Sequence, residues 1–546
     1  MDIKFSLAAL AGLTATIPGV VSCKNQAPVK PNIVYIMSDD HSFQTISAYG
    51  GPLASLALTP NIDRIAAQGI RFDRCLVTNS ISGPCRATVL TGKYSHLNGF
   101  LDNMSRFDSS QVTFPKILQA AGYNTAMIGK WHLVSEPTGF DFWEILPGQG
   151  DYYNPVFINA SGQHKEHGYT TDIITGKTIE WLKGAKDSGK PFMVMMHHKA
   201  PHRAWDPGPD ELGMYESLTF PEPATLFDDY SNRGLGERNQ KMTIARDMTI
   251  ERDLKLTNVP RRGLDSLQLL KWNEVYEPVL RQFNDLKPEG EELTKFKYQR
   301  YMKDYLSCIS AVDKSVGRIL DFLKENGLDK NTIVVYTSDQ GFYMGEHGWF
   351  DKRWMFEESL RTPLLIQWPG VIKPGTVNSD LVSNLDYAET FLDIAGAEIP
   401  EEMQGRSFLS ILKGKTPKDW RKEHYYHYYE HPGEHAVPRH YGITTDRYKL
   451  MHLYYDIDEW ELFDLENDPM EMRNVYNDPE YSQVKESLHR QLEELRVRYQ
   501  DNDSLDKLFI RQYLENPRYK MMLEYMERMR QEQVMNPPSE AVRSPR

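Results

Sequence analysis

Asn32-Ile33-Val34-Tyr35-Ile36-Met37 is an unbroken apolar and β-branched run, and it stops abruptly at Ser38-Asp39-Asp40-His41. A strand covered on both faces reads this way, because neither side of the pleat tolerates polar groups. The pattern recurs. Thr332-Ile333-Val334-Val335-Tyr336 ends in Thr337-Ser338-Asp339-Gln340-Gly341, and Phe192 to Met196 runs into His197-His198-Lys199-Ala200-Pro201-His202. Thr125-Ala126-Met127-Ile128 is a weaker example, leading to Gly129-Lys130-Trp131-His132. Helical patterns begin at Thr59-Pro60 and Phe114-Pro115, and Tyr301 to Asn326 carries apolar residues at helical spacing closed by Gly327. Strand alternating with helix predicts an α/β fold, a large mostly parallel sheet with helices on both faces. Ligands in such sheets sit beyond the carboxyl ends of the strands. Polar strand ends bearing Asp, His and Lys are therefore expected to converge on one site.

The chain has 546 residues, a length suited to about two to four domains. Composition is that of a globular protein, 40% apolar and 25% charged, with a net charge of −13. That charge argues against nucleic acid as a partner. An anionic substrate must then be gripped by cations local to a site. Phe5 to Val21 is an apolar, small-residue run behind Lys4, too short to span a bilayer comfortably, and reads as a signal peptide over residues 1–22. Its ending, Val20-Val21-Ser22-Cys23, resembles a bacterial lipobox, which makes Cys23 the expected lipidation site. The expected location is periplasmic or outer-membrane-anchored, with membrane contact only through that lipid. Cys75, Cys85 and Cys308 remain, too few and too scattered for a disulfide framework or a thiolate zinc site. The expected division is a catalytic domain over 30–415 with an insertion near 222–297, a C-terminal α+β subdomain with a short antiparallel sheet over 416–500, and a charged helical tail over 501–546.

Adjacent Asp39 and Asp40 past a buried strand would repel each other and resist ionisation unless a cation joins them. An all-oxygen set, completed by Asp339 and Gln340, suits a hard ion such as Ca2+, with Mg2+ as the other choice.

Ser82-Gly83-Pro84-Cys85-Arg86, followed by Ala87-Thr88-Val89-Leu90-Thr91-Gly92-Lys93, resembles the signature of the type I sulfatases, within the alkaline phosphatase-like superfamily. Gly-Lys-Trp-His-Leu at 129–133 resembles that family's second signature, and the match extends over roughly residues 30–500. The resemblance implies that Ser82 is oxidised to formylglycine (3-oxoalanine), the nucleophile. It further implies that Arg86, Lys130, His132, His202 and Lys352 are catalytic, and that Asp39, Asp40, Asp339, Gln340 and residue 82 hold one ion. His202 and Lys352 would serve the departing alcohol, and His132 the release of sulfate. Gln340 departs from the family's usual Asn. Serine in place of cysteine at position 82 implies a serine-type maturase as a partner.

The run Ser338 to Arg353 looks most like bacterial glycan sulfatases, among them N-acetylglucosamine-6-O-sulfatases of heparan, keratan or mucin breakdown. His435, Arg439 and His440 lie in a Tyr- and His-rich stretch suited to stacking on a sugar ring, and are the expected sugar contacts. Two other readings stand beside this one: a phosphoester or phosphonate hydrolase using Ser82 unmodified with paired zinc, and a non-catalytic glycan-binding lipoprotein.

Overall fold

The computed structural model describes residues 30–521 together with residue 524. The signal-peptide and Cys23 expectations lie outside the described residues. So does nearly all of the chain past 521.

Ten strands form the main sheet: β1 (Asn32–Ser38), β2 (Ile70–Phe72), β3 (Asn124–Lys130), β4 (Phe142–Leu146), β5 (Val156–Asn159), β6 (Gly162–Lys165), β7 (Phe192–His197), β8 (Thr332–Ser338), β9 (Leu364–Gln367) and β10 (Thr376–Asn378). Their spatial order is β10-β2-β9-β8-β1-β7-β3-β4-β5-β6. The central run β8-β1-β7-β3-β4 is parallel throughout. β9 and β5 pair antiparallel at its two borders. The sheet is mixed at its edges and parallel where it is most buried, as the apolar runs predict.

Alternation along β1 splits the core into two layers. Val34 and Ile36 face helices α1 (Pro60–Gln68), α4 (Thr170–Asp187) and α6 (Gly290–Glu325) through Ile62, Ile174, Leu182, Val312 and Ile319. Ile33, Tyr35 and Met37 face α2 (Ser82–Thr91), α3 (Phe114–Ala120) and α7 (Tyr387–Ala395) through Val89, Leu118 and Phe391. Helix α6 starts at Gly290, well before the Tyr301 expected from its spacing. Its early apolar residues are few among charges, and Phe296 is covered by Phe283 of α5 (Ser266–Leu286), ring centroids 5.3 Å apart. An Asp265/Gln268 capping box starts α5, a signal that the sparse apolar pattern of this region obscures.

A four-stranded antiparallel sheet, β11 (His424–Tyr428), β12 (His440–Thr444), β13 (Tyr448–Leu453) and β14 (Glu459–Asp464), follows in simple order. Helix α8 (Ser482–Arg498) packs on it through Leu488, Leu492 and Leu495, and α9 (Asp503–Glu515) follows. Among the described residues no helix is long and apolar enough to cross a membrane.

Gly129 sits in β3 at φ +105°, and a Cβ there would lie 2.0 Å from the carbonyl oxygen of His197 on β7. Any side chain must push β3 away from β7 and carry Lys130 with it. Gly129→Ala is expected to lower the unfolding free energy by about 2 kcal/mol or more. Urea denaturation checks this, and a loss under about 0.5 kcal/mol would contradict the close approach.

Candidate active site

In the β1/β8 register Ser38 lies opposite Ser338, so Asp39 and Asp339 leave the sheet side by side. Each of Asp39, Asp40, Asp339 and Gln340 is at most 2% exposed. Asp40 adopts φ 66°, an uncommon conformation for a residue with a side chain. Its backbone N–H donates to Asp339 Oδ1 at 3.0 Å and its carbonyl accepts from Tyr305 Oη at 2.6 Å, which together hold the turn.

Helix α2 brings residue 82. Pro84 is accommodated because the first helical turn needs no intrahelical N–H donor there. Gly83 is needed for space, since a Cβ would fall 2.4 Å from the Phe100 ring and 2.9 Å from Asn103 Oδ1. Ser82, the first residue of the helix, donates from Oγ to Asp39 Oδ1 at 3.1 Å. The positive end of the helix dipole thus faces the carboxylates and favours negative charge beside them.

Cations from other elements complete the centre. Arg86, one turn along α2, donates to Asp339 Oδ2 at 3.2 Å, approaches Asp39 Oδ2 at 3.7 Å, and bonds the Lys130 carbonyl at 2.7 Å. Lys130 contacts Asp39 directly. Lys352 donates to Asp40 Oδ2 at 2.7 Å. His202 Nε2 lies 3.7 Å from Asp40 Oδ2, its ring fixed by an Nδ1 contact of 2.8 Å to the Arg203 carbonyl. His132 is tied to the centre through Gln149, whose Nε2 lies 3.1 Å from His132 Nε2 and whose Oε1 accepts from Lys130 Nζ at 2.6 Å. The distant strand ends therefore meet in one pocket.

The electrostatics follow from burial. Burial lifts the Asp40 carboxyl to about 7 against the pull of Lys352, with Asp339 and Asp351 pushing the same way. Burial also acts to raise Asp339, but Arg86 and Lys130 overcome it and hold that carboxyl below its ordinary range. Both His132 and His202 are kept well below the usual histidine range, first by burial and then by Lys130. Lys199 falls to about 8 through burial.

Three carboxylates and an amide on two adjacent strand ends are a donor set for a hard divalent ion. Gln340 donates its amide N–H to Asp40, while its Oε1 has no hydrogen-bond partner among the described residues. That spare buried acceptor is what a cation would use, so the residues fit one. Asp39, Asp40 and His202 also offer ligand atoms within 4.8 Å of one another.

Of the expected sugar contacts, His435 lies 3.1 Å from Asp351 Oδ2, directly before Lys352. Arg439 is 1% exposed, with its guanidinium over the Tyr513 ring at 5.1 Å. His440 stacks on Trp354 and Tyr426 within the subdomain. His197 lies 3.1 Å from the Lys130 carbonyl and 3.2 Å from Arg86 Nη1, bracing both. Gln149 and Lys199 were not foreseen. Gln149 sits in an exposed Pro-Gly-Gln-Gly turn with no distinguishing signal, and Lys199 Nζ donates to its carbonyl at 3.2 Å.

A sequence model of the Sulfatase family matches residues 31–397, and one described as N-sulphoglucosamine sulphohydrolase, C-terminal, matches 345–498. The chain belongs to the sulfatase family. It hydrolyses sulfate esters, and the family generally works through formylglycine and a divalent metal. The chain is 50% identical over 509 residues to an N-acetylglucosamine-6-O-sulfatase of Bacteroides thetaiotaomicron, covering 89% of this chain and 90% of that protein. It is similar at TM-score 0.85 and 50% identity to a structure solved in complex with its substrate D-glucosamine-2-N,6-O-disulfate, covering 88% of this chain and all of that one. A phosphonate monoester hydrolase of Silicibacter pomeroyi, 21% identical, shares the fold at TM-score 0.66, covering 87% of this chain and 96% of that one.

Gln149 links the sulfatase's Lys130 to its His132 without supporting the core. Gln149→Ala is expected to cut kcat/KM on an aryl sulfate about tenfold and to leave thermal unfolding in place; unchanged turnover would refute the link.

Proposed function

We propose that this sulfatase removes the 6-O-sulfate of glucosamine residues in sulfated glycans, using formylglycine made from Ser82 and one divalent ion, Ca2+ before Mg2+. The observation that carries the chemistry is Ser82 Oγ at 3.1 Å from Asp39 Oδ1, inside the pocket of Asp40, Asp339 and Gln340. The 50% identical relative and the structure with D-glucosamine-2-N,6-O-disulfate support the choice of sugar and position. His435 against Asp351 supports the choice of side, since it ties the small subdomain to the Lys352 segment.

Sulfate esters are inert, so stabilisation of the transferring group must be large. Formylglycine, once hydrated by water, would supply two hydroxyls on one carbon: one to attack sulfur as the ester S–O bond to the alcohol breaks, the other to lose its proton and expel sulfate, restoring the aldehyde. Asp39, Asp40, Asp339 and Gln340 would hold the ion, which would supply Lewis acidity and positive charge there. Three carboxylates already face Arg86, Lys130 and Lys352, so a divalent ion leaves the pocket net positive, as a bound sulfate requires. His202 and Lys352 lie together on Asp40 and serve the departing alcohol oxygen. His132, neutral through burial, accepts the proton when sulfate leaves. Two lysines in direct contact with Asp39 and Asp40 support one ion rather than the paired zinc of a phosphoesterase. In this reading a serine-type maturase oxidises Ser82, and the run ending in Cys23 carries the enzyme out of the cytoplasm.

Ser82→Ala is expected to abolish turnover with the circular-dichroism spectrum intact, while the wild-type peptide is lighter by two hydrogens in mass spectrometry. Residual activity in the variant would sink the nucleophile. Chelation is expected to remove activity, and Ca2+ to restore it better than Zn2+. On a panel of sulfated sugars, N-acetylglucosamine-6-sulfate is expected to outpace 2-O- and 4-O-sulfated ones; the reverse order would end the substrate assignment.

A further inference from the structure

Helix α9 (Asp503–Glu515) lies beyond both matched family models, which end at 397 and 498. It is fixed to the subdomain all the same. Arg496 of α8 pairs with Asp503 at 2.8 Å and Asp506 at 3.2 Å, and Phe509 meets the Tyr429 ring edge-on at 6.0 Å. One turn further, Tyr513 lies under the Arg439 guanidinium at 5.1 Å.

Around this pair lie several buried donors that lack a hydrogen-bond partner, although Arg353 Nη1 also approaches Asp351 Oδ1 at 3.7 Å. Tyr513 Oη, Tyr428 Oη, and Nε and Nη1 of both Arg439 and Arg353 are buried and have no hydrogen-bond partner among the described residues. Glu430 and Asp102 are the acidic groups acting on the Tyr513 phenol. Each unsatisfied buried group costs about 1–3 kcal/mol, so a polar group that reaches the cluster, water or substrate, is stabilised there. Its position says which. Arg353 directly follows Lys352. Glu430 accepts the Asn103 N–H at 2.9 Å, and Asn103 accepts the Gly83 N–H at 3.2 Å, one residue from Ser82. Glu430, the acidic group shared by Tyr513 and Arg353, thus connects these donors through Asn103 to the residue that follows Ser82.

We propose that α9 forms a wall of the sugar-binding side of the centre, with Tyr513 as a specificity-determining residue whose phenol meets ring hydroxyls of the substrate hexosamine. Arg439 and Arg353 supply further donors to the same ring. The proposal rests on the glycan reading above but not on the position of the sulfate. The Tyr513 ring is held between Arg439 and Tyr519, whose ring centroid lies 4.4 Å away, so its offer to a pyranose is the one directional bond of its unpartnered hydroxyl.

The test compares Tyr513→Phe and Tyr513→Ala with wild type in the full chain, on N-acetylglucosamine-6-sulfate and on 4-nitrophenyl sulfate, which has no sugar. For Tyr513→Phe, KM for the sugar is expected to rise about fivefold or more with little change in kcat. For Tyr513→Ala, the loss of kcat/KM on the sugar is expected to exceed the loss on the aryl sulfate by about tenfold. Equal losses on both substrates, or an unmoved sugar KM in Tyr513→Phe, would overturn the proposal and leave Tyr513 as packing. If the wild type ignores N-acetylglucosamine-6-sulfate, the 6-O reading fails instead. The same variants are then read on whichever sulfated monosaccharide of the panel the wild type does cleave.

Discussion

Asp39 and Asp339 are placed side by side in a buried pocket by the backbone itself, because β1 and β8 pair in register up to Ser38 and Ser338. Two carboxylates so placed, with Asp40 adjoining, are unstable without opposite charge. The architecture answers with one cation from each of three elements: Arg86 from α2, Lys130 from the end of β3, and Lys352 from the short strand Phe350–Asp351 and its turn. Removing any one of them leaves a buried charge unmatched. The parallel centre of the sheet is therefore as much an electrostatic device as a packing one, since it aims the strand ends at a common point.

The same logic explains which parts were legible in the sequence. Asp39, Asp40, Asp339, Gln340 and Lys130 all follow continuous apolar runs, and a strand buried on both faces has a clear end. Ser82 and Arg86 were legible from their motif. Gln149 was not, because an exposed turn leaves no periodicity and its role comes from reaching Lys130 across space. The start of α6 was likewise hidden, since the half-buried Phe296 packs on Phe283 of another helix rather than on the sheet. Tyr513 belongs to the same class: its partner Arg439 lies in a different element, and the charged sequence of α9 reads as solvent-facing.

Fold likeness alone leaves the chemistry open. A phosphonate monoester hydrolase shares this architecture at TM-score 0.66, so what selects sulfate esters is the set of side chains at the strand ends. In this chain those ends carry Lys130 on Asp39, Lys352 on Asp40, and residue 82 presented to them by α2.

Ser82 is 1% exposed, and every residue of α2 is buried. A reagent as large as a protein has no route to that hydroxyl once the helix is seated against the sheet. Any enzymatic oxidation of position 82 must act on the nascent or unfolded polypeptide, and folding then seals the product in. If Ser82 is oxidised as proposed, maturation and folding compete in time, and a molecule that closes early keeps its serine.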